Sequence, residues 1–155
     1  MQKQKAAVDA SVEAASEERG IAVLLTGDGK GKTSSAFGMV MRARGYNQRI
    51  AVIQFIKGEM LSGEEIYIRD KCPDVIFIQM GTGFTWDTQD KEADTIAANE
   101  VWLECQRMLS DPSYDVVLLD EITYMITYDY IPLDELLHAH AQLPLHLPFR
   151  RVELH

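Results

Sequence analysis

Absences narrow the field first. Nowhere do eighteen apolar residues run together, and the opening stretch MQKQKAAVDASVEAASEERG has no apolar segment of the kind that starts an export signal. A cytoplasmic protein without membrane contact is the expectation. Cysteine is scarce: Cys72 and Cys105 lack both the CxxC spacing of a redox pair and the companions a zinc site needs, which suits a reducing compartment. Basic charge is also short. Fifteen Lys and Arg stand against 24 Asp and Glu, a formal charge of -9, so the overall field repels polyanions and no broad basic face tracks a nucleic-acid backbone. A small anion held by a local device is still allowed. With 155 residues and a hydrophobic fraction of 46%, the chain can fill one ordinary core, and one domain is the working count.

Four short apolar runs organise the sequence: Ile21–Thr26, Ile50–Phe55, Val75–Met80 and Val116–Leu119. Each is aliphatic and nearly continuous, as strands buried on both faces of a parallel sheet are. Helical stretches separate them, one over Thr33–Arg44 ended by Gly45 and one from about Asp87 to Leu109, where Ala93, Ala97, Val101, Cys105 and Met108 share a stripe. Strand and helix in alternation predict an α/β fold with a mostly parallel sheet flanked by helices. Residues 1–19, rich in Ala, Glu, Gln and Lys, predict a weakly amphipathic helix that little else holds down.

The first run leads into Gly27-Asp28-Gly29-Lys30-Gly31-Lys32-Thr33 and then into a helix. Glycines let backbone N–H groups turn inward around an anion, the helix aims its positive end at it, and Lys32 adds a full charge. Thr33 can place its hydroxyl on Mg²⁺. The usual spacing, G-x-x-x-x-G-K-[ST], asks for glycine at 26, where this chain has Thr26, so the loop is a variant of the ATP phosphate loop with its second half intact. Downstream, Val116-Val117-Leu118-Leu119-Asp120-Glu121 is an apolar strand ending in two carboxylates, placed to hold Mg²⁺ directly or through water beside that loop. After the third run, Gly81-Thr82-Gly83-Phe84-Thr85-Trp86 puts two large aromatics on a glycine-flexed loop. From the residues alone, core anchoring is the commoner fate of such a pair, and a flat, apolar-faced ligand is the other. His138 and His140 stand two apart on a helix, do not share a face, and read as surface residues. Tyr124, Tyr128 and Tyr130 suit helix packing or a large ligand equally.

Together these segments resemble the P-loop corrinoid adenosyltransferases, which act on cob(I)alamin or cob(I)yrinic acid a,c-diamide. The resemblance rests on Glu-Glu-Arg-Gly closing the N-terminal helix, GDGKGKT, Gln54-Phe55-Ile56-Lys57-Gly58, GFTWDTQDKEAD at 83–94 and LDEITYMITYDYIPLDEL at 119–136, and covers roughly residues 2 to 137. It implies a RecA-like fold and transfer of the 5′-deoxyadenosyl group from ATP to the Co(I) of a reduced corrinoid, with release of triphosphate. Gly27 through Thr33 would hold the ATP phosphates, and Thr33, Glu121 and Asp120 the Mg²⁺. Phe84 and Trp86 would form an apolar wedge on the lower corrin face, excluding the axial ligand that makes cob(II)alamin hard to reduce. Implied partners are cobalamin, cobinamide or cobyrinic acid a,c-diamide, an electron donor such as a reduced flavoprotein, and a second copy in a homodimer, with the N-terminal helix as a lid. The rivals are a P-loop NTPase or phosphotransferase and a catalytically deficient ATP or corrinoid binder.

The resemblance ends beyond Leu137, where the family continues with a further apolar strand and a Thr-Gly-Arg-like turn. Here Pro144 and Pro148 bracket only Leu145–Leu147, and proline cannot donate to a ladder. The expected organisation is an N-terminal helix or lid over 1–20, a nucleotide-binding domain over 21–143 and an atypical tail over 144–155. The C-terminal strands are expected to be missing, with a gap between the phosphate-loop strand and the carboxylate strand. Such a chain would be destabilised and nearly inactive, as a truncated product is.

Overall fold

A computed structural model describes residues 2–14, 21–56, 61–81, 91–141 and 151–154. Its strands are β1 (Ile21–Leu24), β2 (Ile50–Gln54), β3 (Ile76–Gln79), β4 (Val116–Asp120) and β5 (Arg151–Leu154). They form one sheet in the order β1-β5-β4-β2-β3, with every neighbouring pair parallel. The helices are α1 (Gln2–Ala14), α2 (Lys32–Gly45), α3 (Gly63–Lys71), α4 (Lys91–Ser110), α5 (Ile122–Thr127) and α6 (Leu133–Ala141). Parallel neighbours need long crossovers, and helices supply them. The α/β class and the parallel sheet stand as the sequence predicts.

Pleating divides β2 and β4 between two cores. Ala51, Ile53, Val117 and Leu119 join Val101, Trp102, Cys105 and Met108 of α4 and Ile122 and Met125 of α5 on one side. Ile50, Val52, Val116 and Leu118 meet Phe37 and Val40 of α2 and Ile68 of α3 on the other. Every residue of β2 and β4 is buried, as their unbroken aliphatic runs require. Truncating Leu119 to alanine would cost about 2–5 kcal/mol. Burial on both faces does not extend to β1, where Ile21 and Leu24 are 43% and 56% exposed. That strand lies at the sheet edge, while α2 packs mainly on β4 and β2.

Two further expectations are corrected. The expected stripe on the fourth helix is displaced by a residue in its first half: Asp94, Ala98, Val101, Trp102, Cys105, Met108 and Leu109 are buried, while Ala93 is exposed and Ala97 half-buried. Trp102 sets this phase, for its large indole fills the core and donates from Nε1 to Glu135 at 3.1 Å. The second correction concerns the gap. Arg151–Leu154 lies between β1 and β4, with Ile21 opposite Arg151 and Leu24 opposite Leu154 on one flank, and Val116 opposite Arg151 and Leu119 opposite Leu154 on the other. Ladder pairing is a main-chain property, and both prolines precede these four residues, each of which retains its N–H.

The N-terminal helix spans Gln2–Ala14, with Val8 and Val12 exposed. Elsewhere the sheet ends are pinned by polar contacts. Arg44 meets both carboxylate oxygens of Asp74, tying α2 to the turn before β3. The Arg49 N–H donates to Asp115 at 2.8 Å, and its guanidinium lies 4.3 Å from the Tyr114 ring centre, holding the start of β4 beside β2. Both cysteines are buried thiols, and burial pushes Cys105 above the ordinary thiol range.

Candidate active site

The phosphate loop occupies the turn from β1 to α2. Gly27 has φ 128° and Gly31 φ 102°, values at which a side chain is strained. Thr26 is absent from the positive-φ residues, so the site where the usual pattern has glycine makes no such demand here. The variant loop therefore places its two forced backbone turns on glycines. Gly31 also caps α2, its carbonyl accepting from the Ser35 N–H at 2.9 Å and the Ser35 hydroxyl at 2.7 Å. The first N–H groups of α2 then face the loop with the positive end of the helix dipole behind them.

Lys32 crosses the loop. Its Nζ donates to the carbonyls of Gly27 at 2.6 Å and Gly29 at 2.7 Å. Those bonds hold the loop carbonyls on the ammonium, leaving the backbone N–H groups for an anion, and an ammonium has three protons to give. A cleft of about 380 Å³, lined by Leu24, Leu25, Thr26, Lys30, Lys32 and Ser35 among others, opens beside the loop. Its size is within the range of small-molecule sites. Two lysines and a helix N-terminus thus make a local positive device within a chain of net charge -9.

At the neighbouring strand ends, Asp120 closes β4 and Glu121 turns the chain into α5 with φ 63°. A non-glycine residue held in that left-handed region costs about 1–2 kcal/mol. The turn separates two adjacent carboxylates: Asp120 is buried at 2% exposure, and Glu121 is partly exposed. Gln54, the last residue of β2, stands opposite Asp120 in register and is fully buried. Its Nε2 donates to Asp120 Oδ2 at 2.8 Å, while Gln54 Oε1 and Asp120 Oδ1 have no partner. Leaving such atoms unsatisfied costs about 1–3 kcal/mol each, more where the group is charged.

In the sequence Gln54 stands within the segment Gln54–Gly58 of the resemblance and has no role of its own there. Polarity at the end of an apolar strand, level with a second strand ending in a carboxylate, is the signal that finds it. Two residues back on the same face, Val52 and Leu118 belong to the core beneath α2 and α3, so Gln54 and Asp120 project toward that layer. Gln79 of β3 completes the row opposite Gln54 and accepts from Arg69 of α3 at 2.6 Å. Ser34, near the start of α2, donates to Glu64 of α3 at 2.6 Å. The sheet's C-terminal edge is therefore polar on the phosphate-loop side.

Phe84 and Trp86 lie outside the described residues. Tyr124 and Tyr128 stack with ring centres 5.9 Å apart, and Tyr130 tilts against Tyr128 at 6.1 Å, running from a half-exposed ring into the core. His138 and His140 are exposed on α6. Among the described residues no helix is long and apolar enough to cross a membrane.

Comparison with known proteins gives the same direction as the loop. The chain is 50% identical over 143 residues to the corrinoid adenosyltransferase of Escherichia coli K12, spanning 92% of this chain and 72% of that protein. It is 50% identical over 145 residues to the corrinoid adenosyltransferase CobA of Salmonella typhimurium, covering 94% and 73%. Identity is 42% over 137 residues to the corrinoid adenosyltransferase of Pseudomonas aeruginosa, covering 88% and 68%. The family model for ATP:corrinoid adenosyltransferases BtuR/CobO/CobP matches residues 18–147, and the chain belongs to that enzyme family.

Proposed function

We propose that this chain transfers the 5′-deoxyadenosyl group of ATP to the cobalt of a reduced corrinoid and releases inorganic triphosphate. The observation that carries the reading is the phosphate loop, whose left-handed glycines and Lys32 bridge present amides, helix dipole and ammonium to one small anion. In the reaction Co(I) of the substrate attacks C5′. A cobalt–carbon bond forms, the C5′–O bond breaks, and its electron pair leaves on the triphosphate. No serine, cysteine or histidine nucleophile is required of the protein. Its work is to align cobalt, C5′ and the leaving oxygen, and to stabilise the negative charge growing on the triphosphate. Lys30, Lys32 and the loop amides suit that work.

The oxygen donors at the ends of β4 and α2 fit Mg²⁺, a hard cation that takes carboxylate and hydroxyl ligands. Thr33, Glu121 and Asp120 would hold it, and the unpartnered Asp120 Oδ1 supports that assignment. Bound there, magnesium would neutralise triphosphate charge. By resemblance, Phe84 and Trp86 form the wedge beneath the corrin ring. Cobalamin, cobinamide or cobyrinic acid a,c-diamide is the acceptor, a donor such as a reduced flavoprotein supplies the electron, and the cytoplasm is the compartment. The exposed Val8 and Val12 of α1 support a homodimer in which that helix covers a site.

An anaerobic assay with ATP, Mg²⁺ and chemically reduced cob(I)alamin tests the reading. Loss of the Co(I) absorption band with stoichiometric triphosphate is expected. ADP or orthophosphate in its place would make the protein a phosphotransferase or NTPase, and binding without turnover would make it a binder.

A further inference from the structure

The geometry points to Gln54 as a positioning residue for the metal of the nucleotide complex. Its amide fixes Asp120, and the two side chains together present a pair of acceptor oxygens that a hydrated divalent cation fills through a bound water. The inference rests on the reading of the site given above and adds a residue and a role to it.

Gln54 Oε1 and Asp120 Oδ1 are the buried side-chain atoms without a partner among the described residues, and they belong to two side chains already bonded to each other. Both are oxygen acceptors, one of an amide and one of a carboxyl group. Their guest must donate twice or bring positive charge. Gln54 is fully buried and Asp120 nearly so, which keeps bulk water from serving. Among the described residues Asp120 is met by the neutral Gln54 amide and by no cation. Arg69, the cation of this polar row among the described residues, is committed to Glu65 and Gln79. A water held on a divalent cation donates to both oxygens and brings a positive charge to a carboxyl group that no cation meets among the described residues. The pair also faces the layer of α2, whose first turn carries the phosphate loop.

The bond from Nε2 to Oδ2 gives Gln54 its positioning role. It occupies one carboxylate oxygen and leaves the other for the guest, which is how outer partners of a metal site orient the groups that face the ion.

Manganese is the probe. Free Mn²⁺ is followed by its electron paramagnetic resonance signal while the full chain with ATP is titrated, and ATP affinity without metal is measured by calorimetry. In Gln54→Leu, Mn²⁺ should be held about 10–100-fold more weakly in the ATP complex, with metal-free ATP affinity unchanged. In Gln54→Glu, two carboxylates face each other, so Mn²⁺ with ATP should raise the melting temperature more than in wild type; this variant decides if Gln54→Leu does not fold. Unchanged Mn²⁺ affinity in Gln54→Leu, equal loss of metal-free ATP binding, or no larger rise in Gln54→Glu overturns the inference while the adenosyl-transfer reading survives. A wild-type chain that takes up no ATP overturns that reading instead.

Discussion

Replacing Gly31 by alanine isolates the backbone geometry of the phosphate loop from everything else at the site. Gly31 has φ 102° and ψ -3°, and a Cβ built there meets no atom within 4 Å. The penalty is therefore torsional and not steric, about 1–3 kcal/mol for a side-chain-bearing residue held in so sparsely populated a region. Gly29 is the internal control. It too has open space around a Cβ, but its φ is not positive, so alanine there should change stability by no more than about 0.5 kcal/mol. For a chain of this size one kcal/mol moves the melting temperature by about 2–4 °C, so Gly31→Ala should melt about 2–12 °C below Gly29→Ala. Scanning calorimetry of both variants, without ligand, gives the comparison. Equal melting temperatures would refute the reasoning, for they would mean that the loop does not depend on a left-handed residue at the start of α2.

Lys32→Ala should weaken ATP binding by about 1.5–3 kcal/mol, the contribution of a charge-assisted hydrogen bond, with calorimetry as the measure and unchanged affinity as the contrary result. Trp86→Ala should spare transfer to pre-reduced cob(I)alamin more than transfer starting from cob(II)alamin with a mild reductant; equal losses would reassign Trp86 to packing or positioning. Val152→Pro removes a main-chain donor from β5 and should destabilise the fold by about 1–3 kcal/mol, read by denaturant unfolding, whereas wild-type stability would mean that β5 does not pair as described. The Arg44 guanidinium holds the Asp74 carboxyl below its ordinary value of 3.8. A depressed acid stabilises the fold above that value and loses the contribution as pH falls through its lowered one, so wild type and Asp74→Asn should differ at neutral pH and converge in acid.

The strands most readable in the sequence were those with the strongest physical constraint. Burial on both faces requires continuous aliphatic runs, and β2 and β4 have them. β1 has a similar composition but remains largely exposed, because composition does not tell how far the covering helices reach. Arg151-Val152-Glu153-Leu154 alternates charged and apolar residues behind two prolines, the opposite of an interior strand's usual pattern, and only its register reveals its place. In α4 the small alanines suggested one stripe and the bulk of Trp102 imposed another. At the site, the loop was legible because its glycines, lysine and threonine are contiguous. The Gln54–Asp120 pair was not, since 66 positions separate its members and only strand register brings them together.

That register has a consequence for the order of assembly. Among the described strands β1 pairs with the sheet through β5 alone, while the helix on the other side of the phosphate loop packs on β2 and β4. The loop is therefore strung between a strand near the beginning of the sequence and a sheet it reaches only through Arg151–Leu154. During synthesis α2 and its neighbours can collapse on β2 and β4 while β1 still lacks a partner. One anchor of the nucleotide site is set only once Arg151–Leu154 is free to pair, so a nascent chain that has exposed the phosphate loop but not these residues should bind ATP weakly.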